Sequence, residues 1–320
     1  MRLRVPGGWR APVLLAIALL AGCTSLPRER VALPERATAP ELSAVPFFPD
    51  TAYYCGPAAL ATTLGWSGRS TTPEALAERM YVPGLEGTLQ AELLAAARRA
   101  ERLAYVIPGR LTAVADELAQ GEPVIVLQNL ALGWWPRWHY AVVVAVDADA
   151  GEIVLRSGER RRHRVAAETF ARTWARGGYW AAVTPAPGRL PATATPRPLF
   201  RALADLEATA SPDAALAYWR AAVGRWPDSG LLALGYANAL HFTGHSEAAR
   251  TALAAAAARA GDHRAEVLNN LAMLQAELGD LDQAEATARS ALRAAGDERR
   301  RYARTLAEIR CRRAPASCPR

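Results

Sequence analysis

The pattern of apolar and polar positions changes character along the chain. Residues 11–21 form an unbroken apolar run, and residues 24–44 are polar and interrupted by Pro27, Pro34 and Pro40. Residues 45–187 mix helical and strand periods, whereas residues 198–310 keep a helical period almost throughout. The decapeptide CGPAALATTL (55–64) is apolar on most sides and predicts a buried helix, with Pro57 suited to its first turn. Thr72-Pro73-Glu74 places a capping hydroxyl, a proline and an acid in the order that opens a helix, which runs to about Met80. Residues 88–103 and 111–120 predict two more helices. Short apolar runs at 123–127, 139–146, 152–155 and 179–184 predict strands, the middle two joined by the turn DADAG (147–151). Helices first and strands afterwards give an α+β class for residues 45–187.

The helical region carries an internal period. Gly244 and Gly279 stand 35 residues apart, each between two helical segments, and Ala249 and Ala284 each follow five residues later. A degenerate earlier copy spans about 198–227 and closes on Trp226-Pro227-Asp228. Leu234, Gly235 and Ala237 fit the first helix of a copy. Residues 188–197 (GRLPATATPR) hold Pro191 and Pro196 and read as a linker, and residues 311–320 read as a tail.

Composition narrows the picture. The chain has 320 residues, 51% hydrophobic and 22% charged, which excludes a disordered or collagen-like chain. The net charge is +7, all the basic side chains are Arg, and this mild excess implies no nucleic-acid partner. One apolar stretch alone raises a membrane question, so a polytopic membrane protein is excluded.

That stretch reads as part of a secretory signal over residues 1–22. Arg2, Arg4 and Arg10 supply its positive end, and the apolar run is too short to span a bilayer. Leu20-Ala21-Gly22-Cys23 resembles the lipobox of bacterial lipoproteins. The resemblance implies cleavage before Cys23 and lipidation of its sulfur; ordinary signal cleavage with Cys23 incidental is the alternative. Thr24 in place of Asp implies an outer-membrane location facing the periplasm, with residues 23–44 as a tether. An exported location also permits a disulfide between Cys311 and Cys318.

The strongest chemical pair is Cys55 and His139. Cys55 lies at the predicted start of a helix, where unpaired N–H groups and the helix dipole favour a thiolate. His139 opens an apolar strand, from which an imidazole can reach such a helix. A thiolate beside an imidazole is a working hydrolytic pair; a buried structural Cys with a satisfied His is the alternative on spacing alone. His241 and His245 have metal-like spacing without an evident third ligand, so neither a metal site nor a cofactor is expected. No Gly-rich phosphate loop, G-x-S-x-G elbow or H-E-x-x-H motif occurs.

The segments PFFPDTAYYCGPAALA and WHYAVVVAVD resemble the double-glycine-type cysteine peptidases, family thirty-nine, and more closely their lipoprotein relatives that carry tetratricopeptide repeats (TPRs). The resemblance implies a papain-like α+β peptidase domain over 45–187 followed by an all-α TPR-like repeat domain over 198–310. It implies Cys55 as nucleophile and His139 as general base, a peptide or protein substrate, and a protein partner held by the repeats.

Two positions depart from that family. Its oxyanion-donating Gln is matched here by Asp50, a carboxylate whose charge opposes an oxyanion. The backbone N–H of Cys55 can still donate, and Gln128 is a substitute candidate. The family's orienting Asp is matched by Ser157, which accepts a hydrogen bond but brings no charge; Asp147 is a nearby carboxylate that also suits the start of a turn. Trp134, Trp135 and Trp138 precede His139 directly, and with Tyr54 they form a candidate substrate groove or, alternatively, core and rim aromatics. The run Arg160, Arg161, Arg162 and Arg164 reads as a solvated hairpin face. The function expected is a lipid-anchored cysteine peptidase. The alternatives are a degenerate peptide-binding scaffold and an acyl transferase built on the same pair.

Overall fold

A computed structural model describes residues 38–50, 54–82, 84, 87–259, 261–296 and 299–314. Cys23, the signal segment 1–22 and Cys318 lie outside the described residues. Among the described residues no helix is long and apolar enough to cross a membrane.

Three helices come first: α1 (Cys55–Trp66), α2 (Pro73–Met80) and α3 (Gln90–Arg99). Helix α1 buries nine consecutive residues, Gly56 to Leu64, as its unbroken apolar sequence requires. Helix α2 starts as its sequence dictates: the Thr72 hydroxyl accepts from the Ala75 N–H at 3.3 Å, and Pro73 and Glu74 fill the first turn. The chain continues through β1 (Tyr105–Val106), α4 (Leu111–Ala119), β2 (Val124–Asn129), β3 (Trp138–Asp147), β4 (Glu152–Ser157), β5 (Arg160–Ala166), α5 (Ala167–Arg176) and β6 (Ala181–Val183). The six strands form one antiparallel sheet in the order β1-β6-β2-β3-β4-β5.

Side chains of β3 alternate between two apolar layers. Tyr140, Val142 and Val144 face a layer with Leu60 and Leu64 of α1, Met80 of α2 and Leu93 of α3. Ala141 and Val143 face the other layer, with Val114 and Leu118 of α4 and Phe170 and Trp174 of α5. Both faces of the sheet are therefore covered, and the near-continuous apolar sequence of β3 follows from that.

Seven helices follow: α6 (Pro196–Glu207), α7 (Pro212–Arg225), α8 (Gly230–Phe242), α9 (Ser246–Ala258), α10 (Arg264–Glu277), α11 (Leu281–Ala294) and α12 (Arg299–Arg313). Gly244 and Gly279 sit in the turns after α8 and α10 with φ of +82° and +93°, left-handed values that favour glycine. Ala249 and Ala284 are fully buried one turn into the following helices. Gly235 of α8 lies under the Trp219 indole of α7; a Cβ there would fall 2.3 Å from the ring.

Several boundaries differ from those expected. Residues 38–44, read as the end of a tether, are fastened to the sheet. Ala39 bridges to Val146, and the buried Arg156 guanidinium donates to the carbonyls of Ser43 (3.0 Å) and Val45 (3.3 Å). A buried guanidinium needs carbonyl acceptors, and this segment supplies them. Residues 188–195, read as a linker, are also held. The carboxylate of the buried Glu117 accepts from Ala192 N–H, Thr193 N–H and the Thr193 hydroxyl at 2.9, 2.9 and 2.6 Å. The basic run 160–164 is strand β5, with Arg162 donating to Glu41 and Arg164 to Glu152.

Candidate active site

Cys55 occupies the first turn of α1, after Tyr54, whose side chain makes no capping bond. Gly56 is required beside it, because a Cβ would stand 2.7 Å from the Thr88 Cβ. His139 is the second residue of β3, and Ser157 ends the neighbouring β4. That pairing sets the Ser157 Oγ 2.8 Å from His139 Nε2. Asp50 is pinned by its own N–H, which donates to the Gly158 carbonyl at 3.1 Å, and its Oδ2 lies 3.8 Å from His139 Nδ1. The reactive atoms of Asp50, Cys55 and His139 all lie within 4.8 Å of one another. Four residues singled out in the sequence thus meet at one point, with Nε2 turned to Ser157 and Nδ1 turned to the acid.

The site is partly dehydrated, and burial is the largest influence on each group. Burial pushes the Cys55 thiol up; the Asp50 charge adds to this, while backbone hydrogen bonds involving Tyr140, Gly56 and Cys55 oppose it. Burial pushes His139 down against the pull of Asp50, with Arg137 and His163 adding to the depression. Burial also raises Asp50, against the pull of His139. Both shifts favour the uncharged forms, thiol and imidazole. Burial thus opposes the thiolate that a helix N-terminus favours.

The other expected residues fall as follows. Gln128 is buried and donates its amide to the Thr173 hydroxyl at 2.6 Å, so it is not free to serve an oxyanion. Asp147 accepts from the Ala150 N–H and shapes the β3–β4 turn, away from the imidazole. Trp134, Trp135 and Trp138 are exposed by 78%, 72% and 54%, so they are not core aromatics. They lie on and beside the β2–β3 connection, and a small pocket next to Cys55 is lined instead by Phe48, Asp50, Tyr140, Ser157 and Gly158. Tyr54 packs edge-on against Tyr81 with ring centres 5.9 Å apart. Cys311 is disulfide-bonded, and its expected partner Cys318 lies outside the described residues. Arg156 was not anticipated; it fixes the chain leading to Asp50, and its signal was a lone guanidinium inside the apolar run of β4.

Against this geometry the likeness to known proteins can be set. Residues 41–182 match the Peptidase_C39 like family. The peptidase-like region includes Asp50, Cys55, His139 and Ser157. No curated protein matches the chain. Among solved structures, a protein from Bacillus anthracis described as a C39-like peptidase shares 17% identity over 46% of this chain and 96% of its own, with a TM-score of 0.38. The peptidase domain of ComA from Streptococcus, a bifunctional ABC transporter in a quorum-sensing pathway, shares 21% identity over 44% of this chain and 98% of its own, with a TM-score of 0.36.

Proposed function

We propose that the protein is a lipid-anchored cysteine peptidase of the bacterial envelope, with helices α6–α12 as TPR-type repeats that hold a protein partner or substrate. The observation that carries the catalytic part is the convergence of the Cys55, Asp50 and His139 donor atoms within 4.8 Å, with Nε2 held by Ser157 and Nδ1 left on the side of Asp50. In the reaction the thiol proton passes to Nδ1 as sulfur attacks a peptide carbonyl. The N–H of Cys55 donates to the developing oxyanion. Imidazolium returns the proton to the leaving amine, and water, deprotonated by the same nitrogen, releases the acid from the thioester. Ser157 accepts from Nε2 and so keeps Nδ1 free to act as the base.

The test is the rate of Cys55 alkylation against pH, in the full chain and in His139→Ala. An imidazole acting as base makes Cys55 at least about tenfold faster near pH 7 in the wild type than in the variant; equal rates across pH 6–9 would sink the proposal. Peptide cleavage by the wild type, absent in Cys55→Ala, then settles the reaction.

Asp50 favours a second reading, a peptide-binding scaffold without turnover, because a carboxylate stands where the resembling family places an oxyanion donor. Asp50→Gln separates the two. A peptidase restrained by that charge gains about tenfold or more in kcat from the amide donor, whereas a scaffold shows no cleavage in either form.

A further inference from the structure

We propose that Asp50, Cys55 and His139 form a three-ligand site for a transition-metal dication of the zinc type. Among the described residues these three are the cluster of His, Cys and carboxylate side chains whose donor atoms converge, all within 4.8 Å. A tetrahedral zinc ion holds sulfur at about 2.3 Å and nitrogen and oxygen at about 2.0–2.2 Å, which spaces its ligands about 3.3–3.8 Å apart. Asp50 Oδ2 and His139 Nδ1 already stand 3.8 Å apart. The remaining separations lie within 4.8 Å, and metal binding would draw the donors together. The backbone is fixed at each corner: Cys55 on a buried helix, His139 in a paired strand, and Asp50 by its bond to Gly158.

The hydrogen bond on the far side of the imidazole fits the same assignment. A histidine that ligates through one nitrogen is oriented by a hydrogen bond from the other. His139 Nε2 lies 2.8 Å from the Ser157 hydroxyl, which leaves Nδ1, the atom on the side of Asp50, to ligate. The donor set of one sulfur, one imidazole nitrogen and one carboxylate oxygen suits zinc, and a harder ion such as magnesium or calcium would not take the sulfur. Three protein ligands leave a fourth position for water. Asp50 is the decisive member, because an amide at that place would bring neither the charge nor a strong donor.

Binding is independent of whether Cys55 turns over a substrate. If it does, a metal on the sulfur holds the nucleophile and the base out of action, and its release frees both. Occupancy would then switch the enzyme reversibly.

The experiment titrates cobalt(II) into the untagged full chain in detergent, with the Cys311 disulfide left intact and Cys55 already a free thiol, and follows the sulfur-to-cobalt charge-transfer band together with the visible bands of tetrahedral cobalt. One equivalent is expected to bind and to be displaced by zinc. The charge-transfer band should vanish in Cys55→Ser, and affinity should fall at least about tenfold in Asp50→Asn. A band that survives Cys55→Ser, or an Asp50→Asn affinity equal to wild type, overturns the assignment. Should a variant fail to fold, the wild type alone decides. Zinc must protect Cys55 from alkylation, mapped by peptide mass, with protection reversed by EDTA; full alkylation in saturating zinc overturns the site. None of these readouts needs peptide cleavage, so failure of the metal site and failure of the peptidase are told apart.

Discussion

At the scale of single residues, the choice of Ser157 sets the working range of the site. The hydroxyl orients the imidazole at 2.8 Å but cannot stabilise an imidazolium as a carboxylate would. Burial then holds His139 down and Cys55 up, so the ion pair is unfavourable at rest. Ser157→Asp changes one term in that balance. An anion beside Nε2 raises His139, and the imidazolium in turn lowers the Cys55 thiol. Alkylation of Cys55 near pH 6 is expected to quicken by about tenfold or more, because one pH unit of thiol shift is a factor of ten in thiolate. An unchanged profile in a folded Ser157→Asp protein would show that Ser157 does not govern the imidazole. Cys55 and His139 were legible through their types and places on predicted elements, and Ser157 through the resemblance to the peptidase family. The sequence did not reveal that Asp50 touches the imidazole, because that contact joins a loop residue to a strand 89 positions away. Gln128 misled for a related reason: an amide in a strand suggests a free donor, and only the packing of α5 against β2 shows it spent on Thr173.

At the scale of elements, legibility followed burial. Helix α1 and strand β3 bury most of their side chains and helix α2 buries half of its own, and each was readable from its apolar run or its cap. Strand β5 was legible only as a solvated hairpin face, since RRRHRVA is an edge strand with exposed and half-buried side chains and no apolar alternation to read. Helix α5 was missed, its inner face resting on few buried large residues, Phe170 and Trp174. The small residues that carried the expected period stand at matching places, Gly244 and Gly279 in left-handed turns and Ala249 and Ala284 buried one turn on. Gly235 is constrained by local packing: Ala is the better helix former by about 1 kcal/mol, yet its Cβ would lie 2.3 Å from the Trp219 ring. Trp219 is buried between α7, α8 and Phe200, and has no free space to turn into. Gly235→Ala is therefore expected to destabilise by about 1–3 kcal/mol despite the better propensity. Urea unfolding of the variant measures this, and a stability equal to or above wild type would show that α7 and α8 slide apart at little cost.

At the scale of the whole molecule, the peptidase-like region and the helical region share one apolar core rather than meeting through a flexible joint. Leu199, Leu203 and Trp219 belong to the same buried cluster as Val114 and Val143. The Tyr218 hydroxyl donates to the Pro185 carbonyl at 2.6 Å and accepts from the Leu103 N–H at 3.0 Å. The connecting segment crosses this seam over two buried acids. Glu117 holds its backbone, and Glu122 meets Arg189 at 2.9 Å. Burial raises Glu122 to about 7, with Arg189 opposing and Glu117 adding to the rise. The unfolded chain releases that proton near 4.5, the ordinary value. Between these two values the native state binds more protons than the unfolded state, so stability falls as pH rises from about 4.5 to about 7 and levels above it. At about 1.4 kcal/mol per unit, the loss from this group is at most about 3 kcal/mol. Glu122→Gln keeps the shape and cannot ionise. It is expected to be as stable as wild type at pH 5 and more stable at pH 8, by about 1–3 kcal/mol. Arg189→Ala works in the opposite sense, since removing the guanidinium leaves the ionised acid unpaired and lowers stability mainly at pH 8. Urea unfolding at pH 5 and pH 8 reads both variants. If Glu122→Gln followed the wild-type pH slope, Glu122 would be ionised in the native seam at both pH values, and the ion pair with Arg189 would outweigh its burial.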